Sequence, residues 1–175
     1  MWRTRTIGLV AAAIVLTGGS AFAANSKNFG THLHGDEEVP ARPTRAQGQA
    51  TFRVNDDGTA IRYKLNVANI ENVIMAHIHI APPGENGGVV VWLYPSTTPN
   101  VQDPPGGGRL QGPIAEGTIT AANLVGDLAG HPLSDLLDAI ESGDAYVNVH
   151  TNDGLAPINT GPGDFPMGEI RGQLD

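Results

Sequence analysis

From residue 29 to residue 174 the chain runs in short apolar-polar alternations, broken by Gly, Pro, Asn and Asp. A period of two marks a strand with one face toward a core. Strands are predicted over residues 29–34, 48–55, 59–67, 73–81, 88–94, 114–119, 145–151 and 168–174. Asp57-Gly58, between Ala50-Thr51-Phe52-Arg53-Val54 and Ile61-Arg62-Tyr63-Lys64-Leu65, is the clearest hairpin turn. One segment has helical spacing: Leu133, Leu136, Leu137 and Ile140 share a face, predicting a helix over residues 132–142 that Gly143 can close in a left-handed conformation. Thr120 is a cap candidate for a shorter turn of helix. Gly- and Pro-rich residues 95–113 and 152–167 predict long surface loops. With no internal repeat and no strand-helix alternation, the pattern predicts an all-β fold: an antiparallel, Greek-key-like sandwich or barrel with one short helix.

The N-terminus departs from this pattern. Met-Trp-Arg-Thr-Arg precedes an apolar run from Ile7 to Leu16 and the small-residue site Ala21-Phe22-Ala23. The apolar run is too short to span a bilayer, so residues 1–23 are expected to be a secretory signal peptide, leaving a single domain over 24–175 in the periplasm or secreted. Cleavage removes Arg3 and Arg5 and takes the formal charge from −8 to −10, which argues against nucleic acid as a partner. No later stretch predicts a transmembrane segment. The chain has no cysteine, so disulfides and thiolate metal sites are excluded.

The remaining metal donors are His, carboxylate, Met, amide and backbone oxygen. In Ala76-His77-Ile78-His79-Ile80 alternate side chains point to opposite faces. Ile74, Ala76, Ile78 and Ile80 predict a core face; Met75, His77 and His79 share the other, with two imidazoles close enough to chelate one ion. Likewise Ala145, Val147 and Val149 oppose Tyr146, Asn148 and His150, while Ile170, Gly172 and Leu174 oppose Glu169, Arg171 and Gln173. Were these three strands adjacent, His77, His79, His150, Glu169 and Arg171 would lie on one polar surface. A second His-x-His, His32 and His34, sits on a predicted strand and either completes that site or builds another. The competing reading is a solvent-facing sheet surface on which histidine is one polar residue among others. His131 reads as structural, Glu169 and Arg171 as a salt bridge or as groups orienting a histidine, and Asp36, Glu37 and Glu38 as solvated loop charges. Ser134 and Ser142 lie in no recognisable nucleophile arrangement, which puts binding ahead of catalysis.

The ordered motifs Gly35-Asp36-Glu37-Glu38-Val39-Pro40, Ala76-His77-Ile78-His79, Asn86-Gly87-Gly88-Val89-Val90-Val91, Ala145-Tyr146-Val147-Asn148-Val149-His150-Thr151 and Gly168-Glu169-Ile170-Arg171-Gly172-Gln173-Leu174 resemble the CHRD family, from about Phe29 to Asp175. That family is named for repeats in chordin, an extracellular antagonist of bone morphogenetic proteins, and its stand-alone bacterial members are typically exported. The resemblance implies a β-sandwich domain and no particular reaction. His32 and His34 stand where the family usually has small or polar residues. His77-Ile78-His79 also resembles the copper-binding His-x-His of copper/zinc superoxide dismutase, without that enzyme's cysteines. Two functions follow as expectations. One is binding of a transition metal, copper(II) before zinc by the Irving–Williams order, through His77, His79 and His150 with His32 and His34, weakening as pH falls through the histidine range. The other is a metal-free, non-catalytic module that contacts an extracellular or envelope protein, with Trp92 and Tyr94 as an aromatic anchor if they are not core, although the alternation of Val89, Val91 and Leu93 against Val90, Trp92 and Tyr94 favours burial of at least one set.

Overall fold

A computed structural model describes residues 27–95 and 107–175; the expected signal peptide and much of the loop after Tyr94 lie outside the described residues. Eight strands form one sheet: β1 (Asn28–His34), β2 (Gln47–Val54), β3 (Ile61–Glu71), β4 (Val73–Ile80), β5 (Gly88–Tyr94), β6 (Arg109–Ile119), β7 (Ala145–Thr151) and β8 (Ile170–Gln173). Their order is β5-β4-β7-β8-β1-β2-β3-β6, with every ladder antiparallel. The two end strands, β5 and β6, approach each other, so the sheet curls into a nearly closed barrel. This is the expected fold class, and closure leaves little strand edge exposed.

The strand runs agree with the alternation, and the departures have local causes. The predicted loop over residues 95–113 ends early, because β6 starts at Arg109 and pairs along β3 to Ile119. Toward its other end the loop over 152–167 is not a surface loop: Asp164 and Phe165 are buried, and Phe165 exchanges hydrogen bonds with Thr151. In β4, Ile74 does not face the core. Val73 pairs with Thr151 and Met75 with His150, so Ile74 is an extra residue in the ladder and Val73 takes the core position.

The hairpin turns at Asp57-Gly58 as expected, with Gly58 at φ 72° and Val54 opposite Ile61. The helix, α1 (Leu133–Glu141), buries Leu133, Leu136 and Ile140, and Gly143 closes it at φ 77°. Thr120 starts a short 3-10 turn, Ala121–Asn123, where the Asn123 side chain accepts the Thr120 N–H at 2.8 Å.

The chain crosses the barrel at a single residue. Glu71 ends β3 and Val73 begins β4, yet these strands are not neighbours in the sheet. Asn72, at φ 53°, makes the corner, in a left-handed conformation that Asn tolerates better than most residues. Its N–H donates to Gly108 O at 3.1 Å, its carbonyl accepts from Asn152 N at 2.9 Å, its Nδ2 donates to Gly163 O at 3.1 Å and its Oδ1 accepts from Gly108 N at 3.3 Å. No polar group at the corner is left unpaired.

β4 is a two-sided strand. Ala76 and Ile78 are fully buried in the core with Val147, Val149 and Ile170 from the neighbouring β7 and β8. The opposite face of β4 and β7 carries the histidines.

Candidate metal centre

The ladders bring the three histidines together. Met75 pairs with His150, His77 with Asn148 and His79 with Tyr146, so the rings project from adjacent strands on one face. Their ligand atoms lie within 4.8 Å of one another. The face is not the solvated surface that alternation alone suggests: His77 is 3 % exposed, His79 7 % and His150 7 %. Backbone from the segment between β4 and β5 and from the loop before β8 lies over the rings and bonds to them.

Those covering segments set the tautomers. His79 Nδ1 lies 2.9 Å from Gly87 O and His150 Nδ1 lies 2.9 Å from Pro166 O. A carbonyl only accepts, so each Nδ1 carries the proton; the Nε2 of His79 is left without a partner, and that of His150 turns its lone pair to His77 Nδ1. A backbone carbonyl on the far nitrogen is the usual device that orients a metal-binding histidine. His77 Nδ1 is 3.1 Å from His150 Nε2. Two nitrogens bound to one ion at about 2.0–2.1 Å stand roughly 2.9 Å apart in a square plane and 3.4 Å apart in a tetrahedron, and the observed spacing falls between these. His77 Nε2, His79 Nε2 and the neighbouring Asn148 Oδ1 are buried with no hydrogen-bond partner. Orphaned polar atoms of this kind are rare in native proteins, and those of His79 and Asn148 fit an ion's donor set, to which His77 can add one nitrogen, Nδ1 or Nε2.

Burial holds the rings neutral. His77 is pushed down to about 2, chiefly by loss of solvation and then by the neighbouring His150 and His79. His150 is pushed down to about 4 by burial, against the Pro166 carbonyl, which favours its charged form. Burial also lowers His79; the Gly87 carbonyl and Asn148 oppose the shift, and the charge of Arg171 adds to it. A neutral imidazole is the ligating form. All three rings are thus shifted downward, away from the ordinary histidine range.

Aromatic rings complete the walls. His77 stands perpendicular to Trp92 with centroids 4.3 Å apart, and His79 stacks on Tyr146 at 4.8 Å. Tyr146 accepts the Gly87 N–H at 3.1 Å, so this one peptide fixes both the Tyr146 hydroxyl and His79. A Cβ on Gly87 would lie 1.8 Å from Ile80 O, so only glycine fits. The Arg171 guanidinium covers the other side of Tyr146 at 3.5 Å from its centroid.

Other candidates fall elsewhere. His34 lies opposite Arg171 on the β1–β8 ladder, so β7 and β8 separate it from β4, about 14 Å at the usual strand spacing. His32 is exposed on the same strand. His32 and His34 thus do not complete the three-histidine cluster. Glu169 and Arg171 form no ion pair with each other and touch no histidine nitrogen. Glu169 accepts from Thr44 Oγ1 and Thr151 Oγ1 at 2.6 Å and from Gly163 N at 2.8 Å. Arg171 donates to Glu85 O at 2.7 Å and to Gln173 Oε1 at 3.1 Å. Of the acidic run, Asp36 and Glu37 are exposed, but Glu38 is buried and is corrected from a solvated charge. Burial raises its carboxyl to about 7 against the opposing pull of Arg171 and Arg42. His131 pairs with Asp135 at 2.8 Å on the exposed side of α1, as a surface residue should. Ser134 donates to Asp135 and Ser142 to Ala139 O, neither to a ring nitrogen. Trp92 packs on His77 and Tyr94 against the core, which removes them as free anchors.

Four residues at the site had no assigned role: Tyr146 and Asn148, which alternation put on the histidine face, and Gly87 and Pro166, which it did not reach. Two act through backbone carbonyls, which any residue type has, and only the Asn86-Gly87-Gly88 run hinted at a close approach of backbone.

A nearly closed antiparallel barrel with a buried three-histidine face defines a small all-β domain. The family model for the CHRD domain matches residues 29–174, nearly the whole chain, and the protein belongs to that family. Neither a curated protein nor a solved structure gives a match. Among the described residues no helix is long and apolar enough to cross a membrane.

Proposed function

We propose that this CHRD-domain protein is exported and binds a transition-metal ion, copper before zinc, through His77, His79 and His150. The observation that supports this most is the pair of backbone carbonyls on His79 Nδ1 and His150 Nδ1, which leaves two Nε2 lone pairs directed from a buried, neutral cluster. Imidazole nitrogen suits copper and zinc, and no thiolate competes for the ion. The exported location rests on the leader-like residues 1–23. No reaction is assigned. The alternative, an interaction module for an extracellular or envelope protein, draws support from exposed Leu155, Ile158 and Met167 on the loop before β8.

Calorimetric titration with copper tests the first reading. The protein should bind one equivalent, the double variant His77→Ala/His79→Ala should lose at least about a hundredfold in affinity, and His131→Ala should match wild type. Because the folded rings are held below the ordinary 6.5, affinity at pH 5 should stay within about tenfold of that at pH 7. Unchanged affinity in a folded double variant would leave the interaction-module reading in its place.

A further inference from the structure

We propose that the His77/His79/His150 site selects a soft monovalent ion, copper(I), over the divalent ions copper(II) and zinc(II). The inference rests on the metal-binding reading and adds the oxidation state.

Four features of the site favour a single positive charge. The donors are three neutral imidazoles, and among the described residues no carboxylate joins the cluster. The one carboxylate on the adjacent strand end, Glu169, is committed to two hydroxyls and a backbone N–H. The full charge of a bound ion would therefore go uncompensated in a site whose rings are 93 % or more out of solvent. The solvation lost on burying an ion grows with the square of its charge, so a divalent ion pays far more than a monovalent one.

A fixed positive charge lies behind one ligand. Arg171, Tyr146 and His79 form a stack, 3.5 Å from guanidinium to ring centroid and 4.8 Å between ring centroids. Across that stack, at an effective dielectric of about 20, each extra charge on the ion weakens binding by roughly ten- to thirtyfold.

Coordination number points the same way. Three nitrogens satisfy copper(I), whereas zinc(II) and copper(II) seek at least a fourth ligand, usually water. The three histidines are only 3–7 % exposed, which leaves little room for a water ligand. Two further side chains flank the rings: Asn148, opposite His77, with a buried amide oxygen, and Met75, directly opposite His150 on the β4–β7 ladder, with a soft thioether. The Irving–Williams order ranks divalent ions among themselves and gives copper(II) no advantage over copper(I).

The test is a pair of chelator competitions on the wild-type protein at pH 7: copper(I) against bicinchoninate under anaerobic, reducing conditions, and copper(II) against a chelator of known affinity in air. The expected result is copper(I) bound at least about a hundredfold more tightly, with copper(I)-dependent shifts of the His77, His79 and His150 ring resonances in NMR spectra. Copper(II) binding equal to or tighter than copper(I) at the same three rings overturns the oxidation-state inference and leaves metal binding standing. Ring resonances unmoved by either ion overturn both. Met75→Leu, which keeps the volume and removes the sulfur, should narrow the preference severalfold while the protein stays folded.

Discussion

Replacing Gly87 with alanine tests the site through its scaffold rather than its ligands. The added Cβ would sit 1.8 Å from Ile80 O and 2.5 Å from Ile80 C, both backbone atoms of β4, so the Gly87 peptide must move. That peptide holds the His79 Nδ1 proton at 2.9 Å and gives its own N–H to Tyr146 at 3.1 Å. Overpacking against backbone costs about 1–3 kcal/mol, and disturbing a buried hydrogen bond about 1–3 kcal/mol more. The sum, about 2–6 kcal/mol, corresponds to a fall in melting temperature of roughly 5–20 °C for a domain of this size. Loss of the carbonyl that orients His79 should weaken ion binding by about 10- to 100-fold. The assay pairs thermal unfolding with ion titration, using Gly107→Ala as control, since a Cβ there meets no atom within 4 Å. A Gly87→Ala protein that melts with the control and binds as wild type would refute the claim that this peptide sets the histidine.

Two further predictions concern the polar interior and the corner. Glu38 has a folded-state pKa raised from 4.5 to about 7, so the stability it contributes as a neutral acid is full below pH 4.5 and is lost as pH rises through 7. Glu38→Gln should flatten that decline, gaining about 3 kcal/mol over wild type at pH 8 and nothing at pH 4 in urea unfolding; parallel pH profiles would count against it. Asn72→Ala removes two side-chain hydrogen bonds and places alanine at φ 53°, for a loss of about 2–4 kcal/mol. Asn72→Gly relieves the backbone alone and should fall between alanine and wild type in the same unfolding measurement.

The division of β4 and β7 into apolar and polar faces was legible because side chains alternate strictly along a strand, and it put His77, His79 and His150 on matching faces. Adjacency of β4, β7 and β8 was not legible, since it depends on the crossing at Asn72 and on which strands the barrel closure brings together. The burial of the histidine face escaped for a related reason. The segments that cover it bond through the carbonyls of Gly87 and Pro166, and alternation describes only the strands beneath. Ile74 was misplaced by a single inserted residue, which reverses the face of whatever precedes it. Glu38 could not be separated from Asp36 and Glu37 by composition; its depth comes from the short 3-10 turn Gly35–Glu37 that directs the next side chain inward.

The double duty of β4 makes fold and site one thermodynamic system. Ala76 and Ile78 help to close the barrel with the same few residues whose intervening side chains are His77 and His79. An ion that binds the native arrangement and not the unfolded chain lowers the native free energy by RT ln(1 + [L]/Kd), so at a hundred times Kd it adds about 2.7 kcal/mol. The melting temperature of the barrel would then serve as a gauge of ion occupancy, and a small hydrophobic truncation at Ile78 would register in ion affinity without touching a donor atom.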